Sequence, residues 1–185
     1  MSYRTMDLYL IQDPKTPMPK DPDPETDDPS GYNEHLLKYY RNSVPIRNIQ
    51  DFLVRIRSEA ITRKRLIKRL IIGSHGGYTG GGSGVGYFYI GKTYMSEFSD
   101  KEFMLLSGVA GFFVRNADVY IVACKTGNDS AVLRKLSKAL GGVRVHGYTD
   151  YITTTNYGLF VTLDDGTEDG GRHIVCLPGD CSYVK

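Results

Sequence analysis

A histidine and a cysteine 49 residues apart (124 − 75) carry the clearest chemistry in this 185-residue sequence. His75 stands in LIIGSHGG, directly after an apolar run and before two glycines. Cys124 closes a second apolar run in VYIVACKTG. A cysteine nucleophile needs a nearby base to take its proton, and imidazole is the usual one near neutral pH. Both runs have the length of buried strands. In a parallel sheet, functional groups collect just past the carboxyl ends of the strands. If the two strands are parallel neighbours, His75 and Cys124 emerge on the same rim.

Each residue also has a plainer reading. A cysteine in an apolar strand is usually a small buried hydrophobe, and a histidine after a strand is often a turn residue. The ordered pair on matching strand ends outweighs both. The glycine-rich GGYTGGGSGVG (76–86) lacks the lysine and Ser/Thr of a phosphate-binding loop, so it reads as a flexible active-site loop. His173, Cys176 and Cys181 are too irregularly spaced to predict a metal site, and whether the two cysteines pair stays open. The basic run TRKRLIKR (62–69) reads as a solvated helix end and strand start, with no aromatic interleaving to suggest nucleic acid.

The elements that must position the pair alternate in type. Leu8 to Gln12 is a strand candidate. Ile49, Phe52, Leu53, Ile56, Ala60 and Ile61 recur at helical spacing. Leu70 to Ile72 is a strand that stops at Gly73. Gly86 to Gly91 (GYFYIG) is another. Ser99 and Glu102 form a capping box after Phe98, and Phe103, Leu106, Ala110 and Phe113 continue a helical stripe behind it. Val119 to Ala123 is uncharged and rich in β-branched residues, as a strand buried on both faces should be. Asp129 caps a helix over Val132, Leu133, Leu136 and Leu140, which ends at Gly141-Gly142. Val143 to Thr149 is the next strand. This rhythm predicts an α/β fold, a three-layer α/β/α sandwich with a mostly parallel sheet. Thr153 to Asp164 and Arg172 to Leu177 predict a C-terminal antiparallel hairpin.

Composition bounds the rest. Residues 1–185 are read as one domain. Residues 13–30 hold six of the eight prolines and many acids, which predicts an extended loop. It leaves the first strand at its carboxyl end and is expected to border any groove there. A net charge of +2 calls for neither nucleic acid nor a membrane surface as partner. The first residues are not a signal peptide, and three cysteines point to a reducing compartment. The expected location is cytoplasmic, with export by a signal-independent route left open.

The two motifs resemble those of the caspase-like cysteine peptidase clan, which includes caspases, gingipains, separases and bacterial CHAT domains. LIIGSHGG is similar to the clan's strand–His–Gly motif, and VYIVACKTG to its strand ending in the catalytic cysteine. The spacing fits the roughly 50 residues between the two in caspases. The resemblance covers about residues 66–152 and implies a caspase-like fold and a cysteine endopeptidase needing no cofactor. Cys124 would attack the scissile carbonyl, His75 would protonate the leaving amine, and the backbone N–H groups of Gly76 and Cys124 would hold the oxyanion. Asp150, with Gln12 and Asp13, would line the first specificity pocket and favour basic residues. VACKT lacks the glutamine and glycine that flank the caspase nucleophile, which argues against aspartate specificity. The implied partners are a protein or peptide substrate and a regulatory protein. A rival reading is a catalytically silent caspase-like binding module.

Overall fold

In the computed structural model, the structure describes residues 4–16, 29–78, 86–91, 93–95, 98–149, 152–154, 161–163 and 172–184. The apolar runs form strands because their side chains find a buried surface on both sides. In chain order the elements are β1 (Thr5–Gln12), α1 (Pro29–Tyr39), β2 (Val44–Ile46), α2 (Ile49–Arg63), β3 (Leu66–Gly73), β4 (Gly76–Tyr78), β5 (Gly86–Ile90) and β6 (Thr93–Tyr94). There follow α3 (Asp100–Ser107), β7 (Phe113–Val122), α4 (Ser130–Ala139), β8 (Arg144–Tyr148), β9 (Ile152–Thr154), β10 (Val161–Leu163), β11 (His173–Cys176) and β12 (Cys181–Tyr183).

Seven strands make the main sheet, in the order β12-β11-β8-β7-β3-β1-β2. The pairings from β2 through β8 are parallel, and β11 and β12 add antiparallel at the β8 edge. The fold is therefore mixed α/β with a mainly parallel sheet, compatible with an α/β sandwich. Strands β4, β5 and β6 form a small separate sheet, and β9 pairs with β10.

Alternation along the strands divides the core into two faces. Leu8, Leu10, Leu70, Ile72, Val119, Ile121 and Val145 pack with Phe52 and Ile56 of α2, Leu106 of α3 and Leu133 and Leu136 of α4. Ile11, Ile71, Val122, Cys124 and Tyr148 pack on the other face with Leu36 and Tyr40 at α1. From β1 the chain steps to β2 on one side, then returns to β3 on the other. That reversal makes a topological switch point at the carboxyl ends of β1 and β3, the kind of place where such sheets bind ligands.

Two of the expected caps held. The sequence did not mark Asn48, yet it caps α2, accepting from the Asp51 N–H at 2.8 Å. Ser99 and Glu102 form the capping box of α3. Asp129 caps α4 by accepting from the Val132 N–H at 3.0 Å. Other expectations need correction. The stripe Phe103 to Phe113 is not one helix: α3 ends at Ser107, Ala110 lies in a 3-10 turn and Phe113 starts β7. Ile61 is exposed rather than inward. The C-terminal hairpin joins β11 to β12, while residues 152–154 pair with residues 161–163 instead. The loop is shorter than residues 13–30, because α1 begins at Pro29; residues 17–28 lie outside the described residues.

Candidate active site

Strands β3 and β7 are parallel neighbours, with Gly73 opposite Val122. His75 and Cys124 each lie two residues beyond that pair. Both therefore stand just past the carboxyl ends of neighbouring parallel strands, at one rim of the sheet. The seam continues one step past the paired residues, where the Ser74 N–H donates to the Val122 carbonyl at 3.2 Å. Cys124 is buried, 8% exposed, among Ile11, Leu36, Val122 and Tyr148. His75 is partly exposed, with its Nε2 buried.

The chain after Cys124 turns sharply. Lys125 adopts the left-handed conformation, φ 61°, which costs a residue with a Cβ roughly 1–2 kcal/mol. Such outliers persist where the surroundings impose them. Here Thr126 Oγ1 donates to the Ala123 carbonyl at 3.2 Å and accepts from the Tyr148 N–H at 3.4 Å. Asn128 Nδ2 donates to the carbonyls of Lys125 and Thr149, at 3.1 and 2.8 Å. Gly127 lies so close to β8 that a Cβ there would sit 2.8 Å from the Tyr148 carbonyl carbon. The turn after Cys124 is thus fastened to the end of β8.

The histidine side is held from the other direction. Ser74 is buried; its Oγ donates to the His75 carbonyl at 3.0 Å and lies 3.5 Å from the Tyr89 N–H of β5. Gly76, the expected oxyanion donor, follows directly as the first residue of β4, opposite Phe88.

The remaining predicted site residues divide. Gln12 is fully buried, and its amide clasps the backbone of Gly91. Asp13 lies at the rim, but its carboxylate accepts from Arg47 Nε and from the Lys15 N–H, both at 2.9 Å. Burial raises its pKa, yet Arg47 and the Lys15 N–H outweigh that and hold the carboxyl below its usual range. Both side chains are engaged within the chain. Asp150 lies outside the described residues, just after Thr149.

Cys176 and Cys181 are joined by a disulfide across β11 and β12, which leaves Cys124 as the free cysteine. The sequence left that pairing open, and the bond runs against the reducing compartment it suggested. Their sulfurs are taken, and among the described residues no group of three or more His, Cys, Asp or Glu is placed to hold a metal. Among the described residues no helix is long and apolar enough to cross a membrane.

Sequence reasoning missed three residues near the rim. Ser74 and Thr126 were visible beside the motifs, but no spacing rule marks a residue that only fastens backbone. Asn33 on α1 had no motif at all. A second polar cluster lies on the α1 side of the sheet, farther along β7, β8 and β11. His146 Nε2 is 2.9 Å from Asp118 Oδ1, and its Nδ1 is 2.9 Å from His173 Nε2. Arg144 also engages Asp118, at 2.7 Å. Burial lowers the pKa of both histidines, that of His173 to about 4.

No protein-family model, curated protein or solved structure matches the chain.

Proposed function

We propose that this chain is a cysteine endopeptidase of the caspase-like kind, working through His75 and Cys124. The observation that carries the reading is the strand register. Gly73 and Val122 pair across adjacent parallel strands, and the two chemistry-bearing residues follow each at the same offset.

The reaction follows from the groups. Cys124 Sγ, as thiolate, attacks the scissile carbonyl, and the negative charge moves to the carbonyl oxygen. Backbone N–H groups of Gly76 and Cys124 donate hydrogen bonds to that oxyanion. The C–N bond breaks as His75 gives a proton to the leaving amine. Water then attacks the thioester with His75 taking its proton, releasing the carboxylate product and the thiol. Asp150, in the chain just after β8, the strand that follows the cysteine, selects a basic residue before the cut.

The test is hydrolysis of a fluorogenic peptide library. Wild type should cleave, whereas Cys124→Ala and His75→Ala should each lose at least about 1,000-fold in kcat/KM, as nucleophile and base act as a unit. Equal cleavage by the Cys124→Ala variant would remove Cys124 from the mechanism. Absence of any cleavage by wild type, with partner proteins still bound, would favour the binding module.

A further inference from the structure

We propose that Asn33 is the positioning residue of the His75–Cys124 pair, its side-chain Oδ1 accepting the ring N–H of His75 during turnover. The inference rests on the peptidase reading above and deepens it.

Helix α1 lies along β1 in a register that two contacts fix. Tyr40 stacks on Tyr9, with ring centroids 5.2 Å apart. Leu36 packs at Ile11 and Gly73: a Cβ on Gly73 would lie 2.9 Å from Leu36 Cδ1 and would also strike Ile11. Going from Tyr40 to Leu36 moves about 6 Å back along the helix. Going from Tyr9 to Ile11 moves about 6.6 Å forward along the strand. The helix therefore runs antiparallel to β1, and the two ladders keep step. Three residues farther back, Asn33 comes level with the residues that follow Ile11 and Gly73, which brings it to the height of Asp13 and His75.

Its direction follows from the same stripe. Asn33, Leu36 and Tyr40 recur at i, i+3 and i+7, on one helix face. All three are buried, at 0%, 0% and 5% exposure. Leu36 and Tyr40 join the cluster that contains Cys124. Asn33 thus sits under α1, on the side of the sheet that holds Cys124.

Both polar atoms of the Asn33 amide are buried with no hydrogen-bond partner. A buried amide in that state bears its full desolvation penalty, so such a group calls for an explanation. Asp13, at the same height, does not supply one, because its carboxylate is taken by Arg47 and the Lys15 N–H. The ring nitrogen of His75 on the buried side is Nε2. A base in a nucleophile–base pair works best when a third group fixes its tautomer, and such hydrogen bonds often tighten only when substrate binds. Asn33 Oδ1 meeting the Nε2–H would leave Nδ1 toward Cys124 and would stabilise the imidazolium that forms there.

The test is the pH profile of Cys124 alkylation by iodoacetamide, with the site of modification read by mass spectrometry. Cys176 and Cys181 are bonded to each other and do not compete. Wild type should show an inflection below the roughly 8.5 of an ordinary thiol, and His75→Ala should return it there. Asn33→Ala and the near-isosteric Asn33→Leu should both move the inflection upward by about one pH unit, toward the His75→Ala profile. Asn33→Asp keeps an acceptor and should hold the inflection at or below the wild-type position. Thermal melts of the same proteins show that each is folded. If Asn33→Leu or Asn33→Ala alkylates with the wild-type profile, the role of Asn33 is overturned while the pair survives. Should Asn33→Asp behave like Asn33→Leu, the acceptor role is overturned as well. Identical profiles for wild type and His75→Ala would overturn the pair itself, and this proposal with it.

Discussion

The side-chain amide of Gln12 clasps the backbone of Gly91, accepting from its N–H at 2.8 Å and lying 3.4 Å from its carbonyl. Gln12 ends β1 and Gly91 follows β5 directly, so this clasp anchors the small sheet that follows His75 to the main one. Replacing Gln12 by Leu keeps the volume but leaves the Gly91 N–H unpaired in a buried place. That should destabilise the fold by about 1–3 kcal/mol, measured by urea denaturation. A variant as stable as wild type would show that the clasp contributes nothing.

The His146–His173 pair predicts an acid-sensitive fold. Burial, followed by the neighbouring His146, pushes the His173 pKa down to about 4. An unfolded histidine titrates near ~6.5, so between those values the unfolded chain binds more protons. The stability from the neutral pair is therefore complete above pH of about 6.5 and lost as pH falls toward 4. Asp118 acts below this window, since Arg144 and His146 overcome its burial and lower its pKa from the ordinary 3.8. Melts at pH 7 and pH 4.5 should differ by on the order of 2 kcal/mol, and His173→Phe should shrink the difference. An equal pH dependence in the two proteins would refute the account.

Substrate selection gives a third prediction. Asn128 Nδ2 ties the nucleophile turn to the Thr149 carbonyl, immediately before Asp150. Peptides with Arg or Lys before the cut should be preferred, and Asp150→Ala should reduce that preference at least about tenfold, because a carboxylate–guanidinium pair is lost. Asp13→Ala should leave the preference intact, since Asp13 already serves Arg47. A preference for acidic or apolar residues at that position would contradict the assignment.

Much of this arrangement was legible where local rules coincide with global ones. The runs ending at Gly73 and Val122 are strands because they are apolar on both faces, and the residues after them fall on the rim by topology alone. Ser99 and Asp129 cap helices by local hydrogen bonds, which need no tertiary context. The failures have physical causes. Helix α1 was hidden because it starts at Pro29 in a proline-rich stretch and carries a buried Asn33 where an apolar residue was expected. Ala110 and Phe113 continue the period of α3 only by spacing, since the chain leaves the helix at Gly108. Gln12 and Asp13 do stand at the carboxyl end of β1, but their partners, Gly91 and Arg47, are 79 and 34 residues away. Pairing over such distances leaves no trace in a local pattern.

The most direct test of the central claim is covalent labelling by a peptidyl electrophile, such as an acyloxymethyl ketone carrying Arg at the reacting end. On the proposed pairing, Cys124 should be labelled stoichiometrically, and His75→Ala should slow labelling at least about 100-fold at neutral pH. The disulfide-bonded Cys176 and Cys181 should stay unmodified. A Cys124 that reacts no faster in wild type than in His75→Ala would contradict the account, because the two residues would then share a rim without sharing a reaction.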